Sequence, residues 1–336
     1  MLFGEFDQNL ALLEQRLGVD IVSRGNEVTI KGGNEASSQA RQALEMLYDR
    51  LQMGHEIQPG DVDGAIRMTE ASDTQLTLPT IEPTSRLAVA QISTRKRTVL
   101  ARTKMQDVYI RAMDRGDLVF GTGPAGTGKT FLAVAYAASL LEREVVDRVI
   151  LSRPAVEAGE RLGFLPGDMR DKVDPYLRPL YDALYEMMPG EKVERGLQSQ
   201  AIEVAPLAFM RGRTLSNAVV LLDEAQNCSS MQMKMFLTRL GENSKMIVNG
   251  DPSQIDLPPG QQSGLREALR ILQGVPGIEH IRFSDADVVR HELVARIVKA
   301  YDEQGRKRAD ALGHGPETEP QDASSDGANE RPDGSA

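Results

Sequence analysis

The sequence predicts an α/β chain built on a parallel sheet with helices on both faces, and three observations carry that expectation. Short apolar runs recur at Leu118-Val119-Phe120, Val149-Ile150-Leu151, Val219-Val220-Leu221-Leu222, Met246-Ile247-Val248 and His280-Ile281-Arg282-Phe283. Helical patterns fill the intervals, and runs that are continuous rather than alternating belong to strands buried on both faces. The third observation is the spacing G-x-x-x-x-G-K-[ST] at Gly123, Pro124, Ala125, Gly126, Thr127, Gly128, Lys129 and Thr130. It stands between the first apolar run and a helix expected over 129–141, the context a phosphate-binding loop requires.

With 336 residues and 40% hydrophobic content, the chain can bury one sizeable core with something smaller attached. Residues 1–53 read as a small α+β domain. Leu10, Leu13 and Leu17 fall at helical spacing, strands at 20–24 and 26–31 meet at Arg24-Gly25-Asn26, and a helix over 36–51 closes the unit. Residues 54–85 read as an acidic linker, with Glu56, Asp61, Asp63, Glu70, Asp73 and Glu82 against Arg67, and with room for one short helix. The core domain, 86–302, opens with the opposite sign: Arg86, Arg95, Lys96, Arg97, Arg102, Lys104, Arg111 and Arg115 face only Asp107 and Asp114. The second half of that basic stretch is helical, because Met105, Val108, Tyr109, Ala112 and Met113 share a face and Gly116 stops the helix. From 303 to 336, eight acids and four bases lie among Gly, Ser, Pro and Ala with almost nothing to bury, so an acidic, disordered tail is expected.

Composition excludes several classes. The single cysteine, Cys228, allows no intrachain disulfide, and His55, His280, His291 and His314 lack ligand spacing, which argues against structural zinc. There is no apolar run of about 18 residues and no basic, apolar leader at the N-terminus, so a cytoplasmic protein without a membrane anchor is expected. The net charge of -10 opposes nucleic-acid binding as a bulk property and leaves it to local patches.

The chemistry concentrates at strand ends. A loop that wraps a triphosphate must turn its backbone N–H groups inward, which glycines at close-approach positions permit; Lys129 would then reach the β and γ phosphates of ATP and the Thr130 hydroxyl would ligate Mg2+. The run ending at Leu222 delivers Asp223 and Glu224 at its C-terminal end, where ligands of open α/β sheets bind. Asp223 is the expected Mg2+ carboxylate, and Glu224 the group that polarises an attacking water. The next strand ends in Asn249-Gly250-Asp251-Pro252-Ser253-Gln254, turn chemistry that places the Gln254 amide to sense the γ-phosphate or hold that water. Gln106, on the helix before the loop strand, is either an adenine contact or a surface residue. Arg153, Arg211, Arg213 and Arg290 all follow strands or begin helices, so each is open as a source of transition-state stabilisation in cis or from a neighbouring subunit.

Longer segments carry a resemblance: Arg153-Pro154-Ala155-Val156-Glu157-Ala158-Gly159-Glu160-Arg161-Leu162-Gly163-Phe164-Leu165-Pro166-Gly167-Asp168, Met210-Arg211-Gly212-Arg213-Thr214-Leu215, Leu222-Asp223-Glu224-Ala225-Gln226-Asn227, Gly250-Asp251-Pro252-Ser253-Gln254-Ile255-Asp256-Leu257-Pro258 and Asp287-Val288-Val289-Arg290-His291. From the N-terminal unit to about Tyr301 the chain resembles the PhoH-like family of P-loop ATPases. The resemblance implies a RecA-like P-loop NTPase core with motifs like those of superfamily 1 helicases. Gln106 would be the adenine glutamine, Lys129 and Thr130 the phosphate-loop pair, Asp223 and Glu224 the second motif, and Gln254 the third. It also implies a link to RNA metabolism, as an RNA-stimulated ATPase or helicase-like remodelling factor with an endoribonuclease partner.

The N-terminal unit resembles a KH-like domain, with Gly4-Glu5-Phe6-Asp7 where such a domain carries Gly-x-x-Gly. Asp7 replaces the second glycine and Glu5 adds negative charge, so RNA contact and a packing or oligomerisation role both stay open. A second RecA-like lobe that would bring an arginine across the nucleotide is not expected after the core. A homo-oligomer, a ring with shared sites, is therefore expected, with Arg290 as the arginine in trans and Arg153 second. Two alternatives from other classes remain. One is a phosphotransferase acting on a small molecule, with a lid at 172–188 carrying Tyr176, Tyr181 and Tyr185; the other is a nucleotide-switched interaction protein.

Overall fold

A computed structural model describes residues 2–73 except 26, 53 and 55, residues 89–154, 169–258 and 260–289, and positions 293, 294 and 297. Residues 1–289 form one compact unit and 290–336 a second, of which Leu293, Val294 and Ile297 are described and exposed.

The N-terminal part opens with helix α1 (Gln8–Leu17), hairpin strands β1 (Asp20–Arg24) and β2 (Glu27–Lys31), and helix α2 (Asn34–Gln52). The strands pair antiparallel with Ile21 opposite Ile30. A third helix, α3 (Pro59–Asp73), occupies much of the span read as an acidic linker. Val62, Ala65 and Ile66 bury themselves against Leu13, Leu44 and Leu47, so this helix shares the N-terminal core. The acids of α3 hold it in place: Asp61 meets buried Arg50 at 3.4 Å and Asp63 lies 3.4 Å from Arg16, while Asp63 also pairs along the helix with Arg67 at 3.3 Å.

A short antiparallel hairpin, β3 (Gln91–Ser93) with β4 (Thr98–Leu100), leads into helix α4 (Lys104–Arg115). Thr103 caps α4 by accepting from the Gln106 N–H, and the Gly116 N–H closes its end on the Ala112 carbonyl. Four bases of this stretch lie against carboxylates. Arg111 pairs with Asp107 at 2.8 Å, Arg97 with Glu186 at 3.1 Å, Arg115 with Glu279 at 3.6 Å and Arg102 with Asp61 at 3.7 Å.

The core is a six-stranded, wholly parallel sheet of β5 (Leu118–Thr122), β6 (Arg148–Arg153), β7 (Ile202–Pro206), β8 (Ala218–Leu222), β9 (Lys245–Gly250) and β10 (Ile278–Arg282). Their order across the sheet is β10-β5-β9-β8-β6-β7. Alternate residues of each strand serve opposite faces. Val119, Val149, Leu151, Val219, Leu221 and Ile247 pack beneath α4, α5 (Lys129–Glu142), α6 (Met169–Met187) and α7 (Gly190–Gln198). Phe120, Ile150, Val220, Leu222, Met246 and Val248 pack beneath α8 (Ser230–Leu237) and α9 (Gly264–Ile271). Helix α5 is buried on nearly every side, which its sequence Leu132-Ala133-Val134-Ala135-Tyr136-Ala137-Ala138 suits: small side chains admit both the sheet and α6.

Two expectations change here. The segment 172–188, read as a lid in the phosphotransferase alternative, falls on α6 up to that helix's end at Met187, and Leu177, Leu180, Leu184 and Met187 fix it in the core at helical spacing. Edge strand β7, which is not among the five apolar runs, pairs with β6 in register Leu151↔Val204. The tail at 303–336 and the quoted segment 155–168 lie outside the described residues.

Candidate nucleotide site

The strand order decides what meets at the site. The loop strand β5 and the carboxylate strand β8 are not neighbours, because β9 lies between them with Gly121↔Asn249 and Leu222↔Val248 in register. All six strands run the same way, so the ends of β5, β9 and β8 open together at one edge. A cavity of 260 Å3 forms there, lined by Gly126, Lys129, Thr130, Phe131, Asp223, Glu224, Asp251 and Gln254 among others.

The loop needs its glycines. Gly123, Gly126 and Gly128 have φ of 137°, 85° and 82°, a region that side chains rarely adopt, and a Cβ on Gly123 would collide with the Phe283 carbonyl. Gly128 ends the loop without a side-chain cap on α5, and no acid occupies that helix's first turn. Its leading N–H groups are thus oriented for an anion. Lys129 is buried, and its Nζ donates to the carbonyls of Gly123 and Pro124, both at 2.7 Å, and to Thr127 Oγ1 at 3.2 Å.

Thr130 Oγ1 donates to Asp223 Oδ1 at 2.7 Å. Burial pushes the Asp223 carboxyl above its ordinary range; the Thr130 hydrogen bond opposes that rise, Glu224 adds to it and Arg153 opposes it. A hydroxyl and one carboxylate are hard oxygen donors that suit Mg2+, which keeps several waters and takes phosphate oxygens rather than an all-protein cage. Among the described residues no group of three or more His, Cys, Asp or Glu is placed to hold a metal ion.

Glu224 takes a left-handed backbone, φ 52° and ψ 39°, which turns its side chain away from the line of β8. Both carboxylate oxygens are held: Arg153 Nη2 donates to Oε1 at 2.7 Å and Gln226 Nε2 to Oε2 at 2.6 Å. Gln226 is buried, and its other end accepts the Asp251 N–H at 3.0 Å, joining the carboxylate turn to the end of β9. Asp251 in turn receives the Ser253 N–H and hydroxyl at 2.9 and 2.6 Å and, through its carbonyl, the Gln254 N–H at 3.1 Å. That turn leaves Gln254 exposed on the cavity wall.

Gln106 is not the surface residue that was the alternative to an adenine contact. It is buried, Nε2 donates to the Thr127 carbonyl at 3.0 Å and Oε1 accepts the Arg102 N–H at 2.7 Å, so the amide braces the phosphate loop against α4. Arg153 contacts carboxylates of its own chain, whereas Arg290 lies outside the described residues. Arg213 is tied to Glu203 by two bonds of 2.6 and 2.7 Å, away from the cavity. Gln226 carried no role in the sequence reading; its position two residues after Glu224, on a turn leaving a buried strand, was the available signal. In the N-terminal unit, Asp7 has φ 56°, the left-handed conformation a second glycine would supply, and Phe6 is fully exposed beside it.

A parallel sheet with this strand order, a glycine loop leading into α5 and a Thr130–Asp223 pair together define a RecA-like P-loop core. The family description "PhoH-like protein" matches residues 98–302, and on that match the chain belongs to the PhoH-like family, which is of the P-loop ATPase type. It is 48% identical over 303 residues to a PhoH-like protein of Bacillus subtilis, covering 90% of this chain and 93% of that one. A PhoH-like protein of Mycobacterium tuberculosis is 47% identical over 300 residues, 89% of this chain and 84% of its own. The protein PhoH of Escherichia coli is 48% identical over 205 residues, 60% of this chain and 58% of its own. Among the described residues no helix is long and apolar enough to cross a membrane.

Proposed function

We propose that this chain binds Mg·ATP at residues 123–130 and hydrolyses it in the cytoplasm, coupled to work on RNA. The observation that carries the reading is the juxtaposition of Lys129, the Thr130–Asp223 pair and Glu224 around one cavity. Bound Mg2+ would draw charge from the phosphate oxygens. Thr130 and Asp223 would hold that ion, and Lys129 would exchange the loop carbonyls for the β and γ phosphates. Glu224 would take a proton from the attacking water as the water oxygen bonds to the γ phosphorus and the bond to the ADP oxygen breaks. Gln254, on the same wall, would orient that water.

RNA coupling and an endoribonuclease partner rest on family resemblance. The local support is modest, since many of the bases at 86–115 face carboxylates of this chain. A homo-oligomeric ring with Arg290 acting in trans belongs to the same proposal. Packing of α6 into the core disfavours the phosphotransferase alternative, while a nucleotide-switched interaction protein stays the second reading because both Glu224 oxygens are held.

Steady-state ATP hydrolysis with and without single-stranded RNA tests this. RNA should stimulate turnover, Lys129→Ala should abolish it, and Glu224→Gln should keep nucleotide binding while lowering kcat by about 100-fold or more. Negligible turnover that rises only with a protein partner would favour the switch. An Arg290→Ala chain hydrolysing at the wild-type rate would remove that residue from the site.

A further inference from the structure

Arg153 ends β6 with a side chain only 20% exposed, and its guanidinium reaches three groups. Nη2 donates to Glu224 Oε1 at 2.7 Å, Nη1 donates to the Tyr176 carbonyl on α6 at 3.0 Å, and Nε lies 3.9 Å from Asp223 Oδ2. The other oxygen of Asp223 accepts from Thr130. One carboxylate therefore separates this guanidinium from the hydroxyl that would face Mg2+. Among the described residues Lys129 is the cation lining the cavity, and Arg153 pairs with Glu224 of its acidic wall.

We propose that Arg153 is the residue by which this chain distinguishes a nucleoside triphosphate from a diphosphate, acting in cis; the inference rests on the ATP-binding reading above. A guanidinium forks onto a carboxylate or a phosphate with similar geometry, so it can exchange one for the other. A terminal phosphate held at Lys129 and Thr130 brings negative charge toward Glu224, and turning Arg153 onto that phosphate relieves the repulsion. Glu224 does not swing away when released at Oε1, because Gln226 still holds Oε2. The released oxygen faces a water instead. A diphosphate offers nothing at that position, and Arg153 stays on Glu224. The bond to Tyr176 carries the change to α6, which gives the fold a helix whose contact differs with the nucleotide bound.

The test is equilibrium binding of Mg·ADP and of the Mg complex of a non-hydrolysable β,γ-imido analogue of ATP, for wild type, Arg153→Ala and Arg153→Lys. Loss of one charge-assisted contact should weaken the analogue about 10- to 100-fold in Arg153→Ala while Mg·ADP stays within about twofold, and Arg153→Lys should recover part of the difference. A triphosphate-to-diphosphate ratio unchanged in Arg153→Ala, or both affinities falling together, would overturn the assignment and leave Arg153 as structural support for Glu224. Wild-type chain binding neither nucleotide would instead overturn the ATP reading, a separate outcome visible before any variant is made.

Discussion

Gln226 has a single side chain's worth of hydrogen bonds and uses them to join two motifs. It donates to Glu224 Oε2 and accepts from the Asp251 N–H, within a position 2% exposed. Truncation leaves that N–H buried and unpaired, so Gln226→Ala should cost about 1–3 kcal/mol, measured by denaturant unfolding. It should also lower kcat more than it changes KM, because Glu224 loses its anchor while Lys129, Thr130 and Asp223 are untouched; an equal rise in KM would point to a general loosening of the cavity. At this scale the sequence was informative where one segment makes a site by itself. Residues 123–130 and Asp223-Glu224 are local patterns with local reasons. The Arg153–Glu224 pair spans 71 positions and the Tyr109–Asn249 hydrogen bond 140, and no periodicity encodes either. Gln106 shows the other limit: its spacing does not reveal that its amide lies buried against the Thr127 carbonyl, 21 positions away.

Helix α3 is the clearest case at the level of elements. Asp61 and Asp63, which made the stretch look like a solvated linker, are the residues that pin the helix to Arg50 and Arg16. Its apolar face is short, Val62, Ala65 and Ile66, and was hidden by the acidic count around it. Ile66 is 3% exposed in that small core, and Ile66→Ala should destabilise the N-terminal part by about 2–5 kcal/mol. Amide hydrogen exchange should place the loss in α1, α2 and α3 first; loss spread evenly over the sheet would contradict the packing described. All five apolar runs became strands, four of them (β5, β6, β8 and β9) central, where a parallel strand must be apolar on both faces, and one, β10, at an edge. Strand β7 escaped notice because an edge position tolerates Glu203 and Pro206.

For the whole molecule, nucleotide and fold stability are linked. The cavity draws on β5, α5, β8 and β9, so a ligand there favours the assembled sheet over any opened form. At Mg·ATP near 100 times its dissociation constant, stability should rise by about 2.7 kcal/mol, read as a higher melting temperature. Lys129→Ala should melt without that increase, and a shift of equal size in that variant would place the stabilising nucleotide elsewhere.

The interleaved strand order also has a consequence for how the protein comes to exist. Translation delivers Leu118 long before Lys245, yet β9 must slot between β5 and β8 before the loop and the carboxylates can face one another. Even the loop's backbone waits for later residues: Gly123 donates to the Gly250 carbonyl, and Gly126 accepts the N–H of Val289. A nascent chain still lacking those residues on the ribosome would carry every residue of the glycine motif and no formed pocket. The pocket is therefore complete only once the residues through Val289 have been made, and a shorter chain carries the motif without the site.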